Sequence, residues 1–197
     1  MRSGMSSATT PLPMTKGLMS TNNPLYKIAI VGPESTGKST MSKYLADYYH
    51  TIWVPEYARE YCERLTADPT IEDEVNMFYG QLKLEEELLP QANKILICDT
   101  TFITVKIWSD QLFGYTPDEV LQKLPDHFYD LYLLLDIDMP WEHDPLRNFP
   151  DMREHFMEVW HTELKAINAN YVVISGLNQQ RYDCAVAAID SFLNSFQ

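Results

Sequence analysis

A three-layer α/β/α sandwich around a five-stranded, mainly parallel sheet is the fold class that this sequence predicts. Two observations carry the expectation. From Tyr26 onward, short apolar runs alternate with longer stretches of helical periodicity, the signature of successive βαβ units. The first of those runs, Tyr26–Val31, leads directly into Gly32-Pro33-Glu34-Ser35-Thr36-Gly37-Lys38-Ser39, with glycines where a backbone must turn tightly. The size agrees: 197 residues, 45% hydrophobic and 22% charged, suit a single core in one soluble domain.

Taken in order, Lys27–Val31 is expected as the first strand and Lys38–Tyr49 as the first helix, with Met41, Leu45, Tyr48 and Tyr49 at spacings of three and four. Thr51–Val54 reads as a second strand, stopped by Pro55. Glu56–Leu65 looks helical until Asp68-Pro69-Thr70 breaks it. Ile71–Leu89 is a long helix whose apolar stripe is Val75, Phe78, Tyr79, Leu82 and Leu89, with Pro90 at its end. The run Glu85-Glu86-Glu87 is expected on its solvated face. Lys94–Cys98 is a third strand ending at Asp99. Thr101–Phe113 follows as a helix, and Thr116-Pro117 supplies a threonine cap and a first-position proline for the next one. Asp130–Leu135 is a fourth strand, Pro140–Pro150 an irregular segment, and Asp151–Asn168 an amphipathic helix. Tyr171–Ile174 and Gln179–Phe196 close the chain as strand and helix. All five strands are expected to be buried. With no repeat and no linker, residues 25–197 form one domain. Residues 1–24, rich in Ser, Thr, Pro, Met and Asn, read as a flexible tail.

The segment Gly32–Ser39 spells G-x-x-x-x-G-K-[ST], the phosphate-cradling loop of P-loop NTPases. Its glycines let successive amides point at phosphate oxygens. The candidate cradle is Gly32, Glu34, Ser35, Thr36, Gly37 and Lys38, with Ser39 and Thr40 opening the helix. Lys38 reaches the β- and γ-phosphates, and the Ser39 hydroxyl can ligate Mg²⁺. This points to binding of ATP or GTP.

Charge and composition exclude other classes. Fifteen Lys and Arg against 28 Asp and Glu leave a formal net charge of −13. Such a surface repels nucleic-acid polymers and anionic membranes, which disfavours a helicase or polymer motor. Cys62, Cys98 and Cys184 are scattered without metal-ligand spacing, as in a reducing compartment. No apolar stretch approaches membrane-spanning length and the N-terminus lacks a secretory core, so a cytoplasmic location is expected.

Ligands of open parallel sheets gather beyond the carboxyl ends of the strands, so the residues after each strand matter most. Asp99, ending the third strand, is placed to hold Mg²⁺, directly or through water, together with Ser39. Glu56, after the second strand, can accept a proton from an acceptor hydroxyl or form a surface ion pair with Arg59. Arg59 can neutralise phosphate or serve only that pair. Arg147 and Arg153 flank the irregular segment after the fourth strand, where a closing lid can bring an arginine over the transferring phosphoryl group. Among the aromatics, Trp108 is expected in the core, whereas Trp141, in a Pro-Trp loop, is the better candidate to stack on a flat base. His143, His155 and His161 carry no metal-site spacing.

Several phrases, in order, resemble the ribosylnicotinamide kinase domain of bacterial NadR-type proteins. They are G-P-E-S-T-G-K-S-T at 32–40, V-P-E-Y-A-R-E-Y at 54–61, I-C-D-T-T-F-I-T at 97–104 and K-I-W-S at 106–109. D-L-Y-L-L-L-D at 130–136 and P-W with a following arginine at 140–147 complete the set. The resemblance implies a fold like the nucleoside and nucleotide kinases. It also implies Mg²⁺-dependent transfer of a phosphoryl group from ATP to the ribose 5′-hydroxyl of nicotinamide riboside, feeding NAD synthesis. By position, Gly37, Lys38, Ser39 and Thr40 would bind ATP and Mg²⁺, and Glu56, Tyr57 and Asp99 would face the riboside. Trp141 would lie near the nicotinamide, and Arg147 and Arg153 would be lid arginines. The chain departs from the family pattern at Thr101, where a second aspartate is usual, and at His143–Arg147, where D-G-L-R is usual. The additional domains of longer members find no counterpart in the tail. Two other readings stand beside this one: a kinase of another nucleoside or nucleotide, and a regulatory ATPase without a small-molecule acceptor. The second would need a water-orienting glutamine and a γ-phosphate-responsive loop, for which the sequence offers no signal.

Overall fold

In the computed structural model, residues 25–126 and 128–196 are described; the expected tail at 1–24 lies outside them. Five strands form one sheet: β1 (Tyr26–Val31), β2 (Trp53–Val54), β3 (Ile95–Asp99), β4 (Leu131–Leu135) and β5 (Tyr171–Ile174). Their spatial order is β2-β3-β1-β4-β5 and every pairing is parallel. The central register sets Ile28 between Ile97 and Leu131. The helices are α1 (Lys38–Tyr48), α2 (Tyr57–Cys62), α3 (Ile71–Leu88), α4 (Phe102–Phe113), α5 (Asp118–Lys123), α6 (Arg153–Ala166) and α7 (Asn178–Asn194).

Helices cover both faces of the sheet, which is why β3 and β4 read as continuous apolar runs and are buried throughout. On one face Met41 and Leu45 of α1 and Ile189 of α7 pack under Ile28, Ile97 and Leu133. On the other, Phe78 of α3, Phe102 of α4 and Trp160 and Leu164 of α6 pack over Ala29, Leu96 and Tyr132. The turn before α3 is held by a reciprocal cap. The Thr70 hydroxyl accepts from the Asp73 amide at 3.3 Å, and the Asp73 carboxylate accepts from the Thr70 amide at 2.7 Å.

Four expectations need correction. β5 is an edge strand paired only with β4, so Val172 and Val173 remain 39% and 38% exposed rather than buried. Thr116 does not cap α5; its hydroxyl is drawn to Asp110 at 2.8 Å, and Pro117 takes the cap position. α6 begins at Arg153 because Pro150–Met152 form a 3-10 turn. Glu85 is buried, not solvated: Lys27 of β1 reaches its carboxylate at 2.5 Å and the Tyr129 hydroxyl donates to it. Desolvating a carboxylate in this way is tolerable only with such partners.

Candidate active site

The loop between β1 and α1 is shaped by positive φ angles at Gly32 (138°), Ser35 (57°) and Gly37 (81°). A Cβ on Gly32 would lie 2.8 Å from the Leu135 carbonyl oxygen, so only glycine lets the loop pass this close to the end of β4. Lys38 folds back along the loop and donates to the Gly32 and Pro33 carbonyls at 3.0 and 2.9 Å. The Thr36 hydroxyl also donates to Pro33, at 2.9 Å. Arg181 of α7, which no sequence motif singled out, braces the loop from behind. Only 4% exposed, it donates to the carbonyls of Thr36 (3.2 Å) and Asp136 (2.8 Å) and pairs with Asp138.

Asp99 closes β3 directly beneath the start of α1. It is 1% exposed, hydrogen-bonded with Ser39, and has a second carboxylate oxygen without a partner. Burial, and then the nearby Glu56 charge, push its pKa up to about 6; Ser39, Lys38 and Lys43 pull the other way. A hydroxyl and an underused carboxylate oxygen at the loop's mouth are hard donors of the kind Mg²⁺ takes. The ion needs only one or two protein ligands when phosphates and waters supply the rest. No cluster of three or more His, Cys, Asp or Glu residues suited to a metal occurs among the described residues, so a wholly protein-ligated cage is not what these residues build.

The irregular segment after β4 lies over the phosphate loop and is fastened to it at several points. Ser35 Oγ accepts from the Glu142 amide at 2.8 Å and from Arg147 at 3.4 Å, and Arg147 also donates to the Glu142 carbonyl at 2.6 Å. The Glu34 carboxylate accepts from the amides of Asn148 (3.4 Å) and Phe149 (3.2 Å), though its burial still raises its pKa. Arg153 donates to the carbonyls of Met139 (2.8 Å) and Ser35 (3.4 Å); burial, and then the neighbouring Arg181, lower its pKa. From the opposite wall Arg59 reaches Asp144 at 2.9 Å and Glu63 at 3.3 Å. Of the two alternatives for Glu56, the ion pair with Arg59 is not formed, and Arg59 instead joins α2 to the lid through Asp144.

Loop, lid and helices α2, α3 and α4 enclose a cleft of about 1270 Å³. Its walls include Gly32–Met41, Glu56, Arg59, Glu74, Thr101, Thr104, Trp108, Arg147 and Phe149. Thr100 (φ 80°), Thr101 and Thr104 bring three buried hydroxyls without partners to this wall. Asp99 sits behind it and Arg153 outside it. Trp108 packs against the core as expected but also borders the cleft. Its ring is stacked on Phe149 at 5.5 Å and 29°, whereas Trp141 is not part of the wall. Tyr57 also lies outside the wall: its ring packs on Gly80 of α3, and its amide donates to Gln81 at 2.8 Å. Sequence periodicity placed Trp108 on a helix but not the lid that leaves its ring facing a cavity.

A parallel sheet of this order, with a phosphate loop after its central strand and a lid arching over it, is a P-loop NTPase fold of the nucleoside and nucleotide kinase type.

The model of the AAA domain family matches residues 27–181, and the chain belongs to that family. Among curated relatives, the trifunctional NAD biosynthesis/regulator protein NadR of Salmonella typhimurium is 29% identical over 151 residues. That match takes in 74% of this chain and 37% of the relative, so the chain spans well under half the length of the protein it matches. A crystal structure of NadR protein in complex with NR superposes with a TM-score of 0.72 at 24% identity, covering 85% of this chain and 51% of that one. A second, of NadR protein in complex with NAD and AMP-PNP, gives a TM-score of 0.66 at 25% identity, covering 85% and 49%. The likeness of fold to NadR thus covers 85% of the chain.

Proposed function

We propose that this chain transfers the terminal phosphoryl group of ATP to the ribose 5′-hydroxyl of nicotinamide riboside, giving nicotinamide mononucleotide and ADP. The observation that carries the reading is one cleft lined by Glu56 and the phosphate loop and bounded by α2, α3 and α4, with Asp99 just behind its wall, hydrogen-bonded with Ser39 and within electrostatic reach of Glu56. The likeness to NadR, one structure of which holds AMP-PNP and another NR, supports both the donor and the acceptor.

Loop amides and Lys38 hold the triphosphate, and the lysine charge offsets the charge that spreads over the equatorial oxygens during transfer. Mg²⁺, held by Ser39 and Asp99, would neutralise the β- and γ-phosphates. Glu56 accepts the proton of the 5′-hydroxyl; that oxygen forms the new bond to phosphorus, and the bond to the ADP oxygen breaks. Arg147, at the cleft and on the lid, is the arginine placed to steady the migrating group, while Arg153 holds the lid in position. The same chemistry suits a small-molecule acceptor in the cytoplasm and needs no nucleic acid or membrane partner.

A second acceptor class is favoured by one observation: the free hydroxyls of Thr100, Thr101 and Thr104 would suit a neutral nucleoside with several hydrogen-bonding groups. ADP release measured with nicotinamide riboside, thymidine, other nucleosides and no acceptor separates the readings. Stimulation by the riboside alone supports the proposal. Stimulation only by another nucleoside replaces it with the second reading, and acceptor-independent hydrolysis points to a regulatory ATPase.

A further inference from the structure

Glu74 has no role in the chemistry described above, yet it occupies the cleft wall. It lies in the first turn of α3, is 2% exposed, and borders the cavity that Cys62, Met77 and Thr104 also line. Among the described residues its carboxylate has neither a hydrogen-bond donor nor a cation as partner. The charged or titratable groups felt nearby only worsen its position. Asp73 precedes it on α3, and Cys62 of α2 feels Glu74, Glu56 and Asp73 together. The cations that line the same cleft are committed elsewhere, Arg59 to Asp144 and Glu63, Lys38 to the phosphate loop, Arg147 to the Glu142 carbonyl and Arg181 to Asp138. Burial and Asp73 accordingly raise its pKa to about 7. A buried carboxylate kept without a counter-ion costs stability unless something that binds there supplies the positive charge.

We propose that Glu74 is a specificity-determining residue that selects an acceptor carrying a cationic heteroaromatic ring. The inference rests on the riboside-kinase reading, since the pyridinium of nicotinamide riboside carries a positive charge that ordinary nucleobases lack. Its carboxylate faces the ring end of the acceptor and takes no part in the transfer at the 5′-hydroxyl.

The test uses the whole chain and the nearly isosteric Glu74→Gln, with Glu74→Asp as the conservative partner. Two acceptors are compared, nicotinamide riboside and its neutral dihydro form. Loss of a desolvated charge contact is expected to raise KM for the cationic acceptor about ten-fold or more. KM for the neutral acceptor, KM for ATP and kcat should stay within about two-fold, a change of under half a kcal/mol. Glu74→Asp should recover part of the loss. Equal effects on both acceptors, or none on either, overturn the assignment. In parallel, calorimetry compares 1-methylnicotinamide, a cation, with neutral nicotinamide, which needs no turnover. A cation preference in the native protein that disappears in Glu74→Gln supports the proposal even if nicotinamide riboside proves not to be phosphorylated. Absence of that preference refutes it even if the riboside is a substrate.

Discussion

Asp99 stores a cost that a single substitution releases. An ordinary aspartate ionises near 3.8; this one is pushed up to about 6, first by burial and then by Glu56. A gap of roughly two pH units corresponds to about 3 kcal/mol by which the folded state disfavours the charged form at neutral pH. The sign follows from proton binding. Between about pH 4 and pH 6 the folded chain holds this proton and the unfolded chain does not, so stability falls as pH rises through that window and stays lower above it. Asp99→Asn removes the charge but keeps the shape. Its amide group would meet the site where one carboxylate oxygen has no partner, which returns about 1–2 kcal/mol as an unsatisfied donor. A net gain of about 1–2 kcal/mol should raise the melting temperature by roughly 4 °C in a chain of this size. Turnover should fall at least about a hundred-fold if the carboxylate contributes to electrostatic stabilisation of the transferring group. The assay is thermal unfolding of both proteins in chelator-containing buffer from pH 4 to pH 8, with ADP release measured separately in Mg²⁺. The native-minus-variant stability difference isolates Asp99 from Glu74, which also titrates in this range. A variant less stable than the native protein at pH 7.5, or a difference that does not change between pH 4 and pH 6, refutes the reasoning.

Lys38→Ala should reduce turnover by about two orders of magnitude or more while the far-ultraviolet spectrum and melting point stay close to native, because the lysine acts on phosphate charge; near-normal ADP release would remove the phosphate loop from the mechanism. Gly80→Ala places a methyl group 2.0 Å from Tyr57 Cε1, and the overpacking cost of about 1–3 kcal/mol should outweigh the roughly 1 kcal/mol gained in helix propensity. In a Tyr57→Ala background the same change should become stabilising, and calorimetric melts of the three variants decide the point. Arg153→Ala, which frees the Met139 and Ser35 carbonyls from their shared donor, should lower kcat more than it raises KM for ATP. An effect on KM alone would reduce the residue to a binding role.

What the sequence disclosed and what it concealed divide along a physical line. The phosphate loop was legible because strand, glycine turn and helix are consecutive, so one stretch of chain contains both the geometry and the chemistry. The places of Asp99 and Glu56 were legible for a related reason: parallel strands end on one rim, Asp99 closes β3 and Glu56 follows β2. Trp108, Glu74 and Arg181 escaped because each depends on a surface brought from elsewhere. Trp108 faces a cavity only because Phe149 and the lid arrive opposite α4. Arg181 lies 145 residues beyond the Thr36 carbonyl it holds. Glu85 and Glu74 show the same limit from opposite sides. Both are acids on α3, both are buried, and periodicity marks neither as unusual. Lys27 and Tyr129 neutralise and satisfy Glu85, which makes it part of the scaffold. Among the described residues, none does so for Glu74. A buried charge whose partner is internal reports on folding; one whose partner is missing reports on what the protein binds.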